Sequence, residues 1–155
     1  MKYFLLILFL FAYPFICSAT IVEFNITNKI KASVSLEDNK KIEYQIINSD
    51  NLKRKGSFSV DTENIIRVTH DDYNFDGKED FAIWYTDDGM GTYDIYRVFI
   101  YVEKVDDFKE IKPACGDDFM NLTLNKKRRE LISMYYADNE PQRCITNSRW
   151  VTTRP

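Results

Sequence analysis

Nine residues, Asp72-Tyr73-Asn74-Phe75-Asp76-Gly77-Lys78-Glu79-Asp80, place side-chain oxygens at relative positions 1, 3, 5 and 9 around a glycine at position 6. A hard cation such as calcium takes six to eight oxygens at about 2.3–2.6 Å, and a tight loop can aim alternate side chains and the carbonyl at position 7 at one point. Gly77 supplies the positive φ that such a turn needs. The spacing therefore predicts a calcium site made by Asp72, Asn74, Asp76, the Lys78 carbonyl and Asp80. Position 12, which in a helix-flanked EF-hand is a bidentate Glu, is Ile83 here, so a further ligand has to come from elsewhere. The plain alternative is an Asx-rich turn without metal, because Asn, Asp and Gly favour turns in any case.

A second loop, Thr86-Asp87-Asp88-Gly89-Met90-Gly91-Thr92-Tyr93, has two glycines framing a methionine between aromatic segments. Scaffolds place recognition on loops of this kind. Asp87, Gly89, Met90, Gly91 and Tyr93 are its candidate partner-binding residues. It is not a phosphate loop, since no lysine and no helix start follow Gly-Met-Gly. Tyr93 and Tyr101 would share one strand face and Tyr96 the other, as strand side chains alternate. His70 beside Asp71 and Asp72 invites a general-base reading. No serine or free thiol lies next to it, imidazole suits a hard cation poorly, and the simpler reading is a residue that ends a strand. A carboxylate pair for glycoside hydrolysis depends on a separation in space that spacing along the chain does not give. No catalytic residue is assigned, and the chain reads as a non-enzyme. Lys126-Lys127-Arg128-Arg129 reads as a solvated hairpin turn, with docking of an acidic partner as the alternative.

The elements that must hold these loops are strands. Apolar residues alternate at period two in Val22, Phe24 and Ile26, in Ala32, Val34 and Leu36, in Ile42, Tyr44 and Ile46, in Ile66 and Val68, in Val98, Ile100 and Val102, and in Leu122 and Leu124. Phe81-Ala82-Ile83-Trp84-Tyr85 is a short continuous apolar run, as in a buried strand. Leu131 to Tyr136 is another strand candidate. Polar turns such as Glu37-Asp38-Asn39-Lys40 separate the runs. The pattern predicts one all-β antiparallel domain over residues 20–155 with eight to ten strands. Periodicity leaves a sandwich and a small propeller-like arrangement equally open.

Residues 1–19 carry Lys2, an apolar stretch from Tyr3 to Ile16, and Cys17-Ser18-Ala19, which reads as a secretory signal peptide. The stretch falls short of the roughly 18 residues that a spanning helix needs, and no later segment qualifies. Acylation of Cys17 is the competing reading, disfavoured by the bulky Phe15-Ile16 before it. Cleavage after Ala19 removes one of three cysteines and leaves Cys115 and Cys144, an even pair in an exported chain and hence an expected disulfide. It also removes Lys2, so 21 basic residues become 20 against 24 acidic ones. That balance excludes the concentrated positive field that nucleic acid rewards.

The calcium-loop run, the glycine-containing loop after it, Tyr93-Asp94-Ile95-Tyr96-Arg97-Val98-Phe99-Ile100-Tyr101, and then Phe108 leading into a strand together resemble a known family. It is that of exported, calcium-binding, β-propeller-like periplasmic inhibitors, immunity proteins against lysozyme-like effectors. The resemblance spans about residues 60–136. It implies structural calcium, a periplasmic location, a secreted lysozyme-like peptidoglycan hydrolase as partner, and inhibition by a loop that occludes the enzyme's sugar cleft. The family loop often carries glycine and asparagine where this chain has Gly89-Met90-Gly91-Thr92, which leaves the inhibited enzyme open. The alternative is a calcium-stabilised module that binds cell-wall glycan or another surface ligand.

Overall fold

The computed structural model describes residues 20–37, 40–48, 51–89 and 91–147. The expected signal peptide, Asp38 and Asn39 of the first hairpin turn, Met90 and the tail after Trp150 lie outside the described residues. Four strands, β1 (Thr20–Asn25), β2 (Ile30–Glu37), β3 (Lys41–Asn48) and β4 (Asn51–Ser59), form an antiparallel sheet in chain order. Seven more follow: β5 (Arg67–Asp71), β6 (Asp80–Thr86), β7 (Asp94–Val102), β8 (Asp107–Ile111), β9 (Phe119–Asn125), β10 (Glu130–Ala137) and β11 (Glu140–Asn147). They make a second antiparallel sheet in the order β11-β10-β9-β7-β6-β5, with β8 also paired to β7. The only helical turn among the described residues is 3-10, Glu103–Val105, and no helix there is long and apolar enough to cross a membrane.

The described residues are all-β, with two antiparallel sheets and no closed barrel among them, consistent with a β-sandwich. A four-stranded and a seven-stranded sheet do not repeat as propeller blades do.

Alternation explains the first sheet. In β2, Ala32, Val34 and Leu36 are buried while Ser33 and Ser35 are not, and Leu36 pairs with Ile42 of β3. β6 behaves differently because both of its faces are covered, and Asp80, Phe81, Ala82 and Ile83 are all buried. Phe81 and Ile83 join a core with Val34, Ile46, Phe99, Tyr101 and Phe108 that spans both sheets. Ala82 faces a second core with Val98, Ile100, Phe119, Leu122 and Leu131. Phe81 stacks on Phe99 with centroids 4.8 Å apart and meets Phe108 edge-on at 4.8 Å, geometries that favour aromatic pairs.

Two strands show little apolar alternation. β4 is Asn-Leu-Lys-Arg-Lys-Gly-Ser-Phe-Ser and mostly exposed; its cations reach Asp106, Asp107 and Glu43, and charge of this kind protects a sheet edge. Gly56 in β4 lies opposite Tyr44, whose ring crosses over it so closely that an added Cβ would sit 2.2 Å from Tyr44 Cζ. β11 is equally polar, and Cys144 and Thr146 are its buried side chains.

Candidate functional site

The acidic loop connects β5 to β6, and its side chains fold onto its own backbone. Asp72 accepts the N–H groups of Asp76 at 2.9 Å and Gly77 at 2.8 Å. Asn74 Oδ1 also accepts from Asp76 N at 3.0 Å, and Asp76 Oδ1 from Lys78 N at 2.9 Å. Gly77 has φ 88°, as the spacing predicts, and Phe75 has φ 58°, an unusual setting for a bulky side chain. The guanidinium of Arg129 donates to the Phe75 carbonyl, and Lys126 pairs with Asp71 at 2.8 Å. The basic turn between β9 and β10 is therefore laid against the acidic loop. Between them runs an open groove of about 530 Å³ lined by Asp71, Asp72, Phe75, Lys78, Lys126 and Arg129.

Asp80 has a different part. It is fully buried, and its Oδ2 accepts from Tyr73 N at 2.9 Å and Asn74 N at 3.2 Å, while Oδ1 accepts from Tyr101 N at 2.8 Å. One carboxylate thus joins the loop to β7. Burial pushes its pKa up to about 8, against the hydrogen bonds from Tyr101 and Asn74 that lower it, and Asp76 and Asp72 repel the charge further.

Among the described residues no group of three or more Asp, Glu, His or Cys side chains is placed to hold a metal ion. The physical reason lies in the hydrogen bonds above, which aim the carboxylates at loop N–H groups. The donor chemistry nonetheless suits a hard cation: every candidate atom is oxygen, and a carboxylate oxygen has two acceptor sites.

The second predicted loop lies at the other end of β6, roughly 20 Å away at about 3.3 Å per residue. It is clasped at its base. Asp87 Oδ1 accepts from Thr92 N at 2.8 Å and Tyr93 N at 2.7 Å, and Asp87 N donates to the Tyr93 carbonyl at 2.8 Å. Asp88 Oδ1 gathers Thr62 Oγ1, Glu63 N and Asn64 Nδ2 at 2.8–3.0 Å. Asp87 thus fastens the loop with its carboxylate. Gly89 and Gly91 are exposed, with Gly91 at φ 64°. Tyr93 is half-buried, and its hydroxyl bonds that of Tyr136 on β10; the two rings meet edge-on at 5.7 Å. Tyr136 is 44% exposed. Sequence reasoning missed Tyr136, whose only signal is a strand pairing that brings β10 beside this loop.

The other candidates find plain roles. His70 stacks on Phe24 at 5.1 Å and bonds Glu79 at 2.8 Å, tying β5 to β1 and to the acidic loop. Tyr101 is buried in the first core and Tyr96 packs on the second, opposite faces of β7 as expected. Cys115 and Cys144 form the expected disulfide. No family model matches the chain, and no curated protein and no solved structure matches it either.

Proposed function

We propose that this protein is an exported, periplasmic inhibitor, an immunity protein that occludes the sugar cleft of a secreted lysozyme-like peptidoglycan hydrolase, with calcium in a structural role. The observation that carries this reading is the clasped loop 87–93. Its base is held by Asp87 and Asp88 through hydrogen bonds of 2.7–3.0 Å, Gly89 and Gly91 are exposed, and Tyr93 at its end pairs with Tyr136. A loop whose base is already fastened loses less conformational entropy on binding, and aromatic anchors carry most of the energy at such surfaces. The protein has no catalytic task in this reading.

Truncating an anchor at a tight interface costs at least about 2 kcal/mol, some thirtyfold in affinity. Tyr93→Ala is expected to weaken inhibition of the cognate hydrolase by that factor while the thermal midpoint stays nearly unchanged. Titration of lysozyme-like effectors with parent and variant reads it out, and equal inhibition by the two would move the surface elsewhere.

Calcium would be held by Asp72, Asn74, Asp76, the Lys78 carbonyl and Asp80. It would neutralise the loop and fix the start of β6, the strand that ends at loop 87–93. A ligand that binds only the folded state at a hundredfold excess over its Kd adds about 2.7 kcal/mol, several degrees for a domain of this size. Melts in excess calcium and in chelator should differ by that amount, and Asp76→Ala should remove the difference. Identical melts of the parent protein with and without calcium would refute the metal.

A further inference from the structure

The chain contains two Asn-x-Thr triplets, Asn25-Ile26-Thr27 and Asn121-Leu122-Thr123. In an exported protein that pattern is the acceptor for an N-linked glycan. The fold gives the two asparagines opposite surroundings. Asn25 is the last residue of β1, exposed, on a strand that pairs on one side only, and among the described residues its amide makes no hydrogen bond. Asn121 is half-buried in β9 with φ 50°. Its Oδ1 accepts from Asp94 N at 2.9 Å and its Nδ2 donates to Met134 Sδ at 3.5 Å, so a sugar on that nitrogen would break the contact between β7, β9 and β10. Glu23 stands two residues before Asn25, the acidic residue that bacterial transferases add to the pattern, whereas Phe119 holds that place before Asn121.

We propose that Asn25 is a glycosylation site, modified by an oligosaccharyltransferase from a lipid-diphosphate-linked oligosaccharide, an inference that rests on export and not on inhibition. Asn25 Nδ2 forms a bond to the anomeric carbon of the first sugar. The bond from that carbon to the diphosphate oxygen breaks, and one amide proton leaves with the lipid diphosphate. Ile26 is buried, and its carbonyl accepts from Glu79 N at 3.2 Å, so the transferase must take the triplet before β1 packs, as the chain emerges. The finished fold then has to leave room for the product. Register places Asn25 beside Lys31 and Ile47, and Glu23 beside Ser33, on the face of the first sheet turned away from the core. With that face they line a trough of about 260 Å³, space for the first sugar next to the amide that carries it. The contact with Glu79 also sets Asn25 at the acidic-loop end of β6, away from loop 87–93, which the glycan leaves uncovered.

The test produces the full chain in a bacterial host that carries an oligosaccharyltransferase and its lipid-diphosphate oligosaccharide, and reads peptides by mass spectrometry. The peptide with Asn25 is expected to gain the mass of one oligosaccharide, and the peptide with Asn121 to gain none. Asn25→Gln and Glu23→Gln should each lose the added mass. Thr27→Ala should lose it as well, while Thr27→Ser, which keeps the hydroxyl, retains it. The N-terminal peptide of the same preparation shows whether cleavage after Ala19 has taken place. A cleaved chain with Asn25 bare, or with the glycan on Asn121 instead, overturns the site and leaves the export reading standing. An uncleaved and unmodified chain overturns both. No hydrolase is present, so the result is independent of the inhibitor reading.

Discussion

Asp80→Ala is expected to lose about 4 kcal/mol of stability, because it strands the N–H groups of Tyr73, Asn74 and Tyr101 at a cost of about 1–3 kcal/mol for each buried donor. A domain of this size has only about 5–15 kcal/mol in total, so the urea midpoint should fall steeply. Asp80→Asn should lose less: one oxygen remains to accept, while its amide turns a donor toward other donors. The comparison that matters is made in chelator. A residue acting only as a calcium ligand would be harmless to replace there, whereas one that joins the loop to β7 would still cost the full amount. A loss below about 1 kcal/mol in chelator would show that the three hydrogen bonds are not what holds this corner together.

The same residue marks where sequence reading stops. Position 9 of the loop reads as a ligand on spacing alone, and nothing in the spacing says that its carboxylate is fully buried and bonded to a strand 21 residues later. That fact belongs to the pairing of β6 with β7, a tertiary property. Likewise Lys126 and Arg129 look like a solvated turn until β9 and β10 bring them onto Asp71 and the Phe75 carbonyl. A run of cations and a run of acids in one chain is the only hint of that contact.

Strands with one face buried were legible, since burial imposes period two: Ala32-Val34-Leu36 and Ile42-Ile46 are buried as alternation requires. Phe81-Ala82-Ile83 was legible for the opposite reason, because a strand covered on both faces loses its alternation. β4 and β11 were not, since an edge strand with one solvated face needs few apolar residues. Their polar sequences satisfy the sheet through backbone pairing, which leaves no compositional trace. Among the described residues, eleven strands therefore stand where the pattern predicts eight to ten.

The edge strand β11 is also where the disulfide bears its load, and its removal is expected to be the other large effect. Cys115 and Cys144 are 29 residues apart, and closing a loop of that length restricts the unfolded chain by about 3–4 kcal/mol in the chain-entropy treatment. The bond fixes the segment before β9 to β11, with help from Ala114 N donating to Thr146 Oγ1 at 2.9 Å. Reduction should therefore lower the melting midpoint by several degrees. Hydrogen exchange should rise first in β11 and in residues 113–118, while β1–β4, which pair only with one another, keep their protection. Equal melts before and after reduction, with both thiols shown free by mass spectrometry, would refute this. The consequence for the inhibitor reading follows from register. Tyr136 of β10 pairs with Pro141 of β11, so a frayed β11 leaves the phenol that supports Tyr93 less well held, and reduction should weaken inhibition as well as stability.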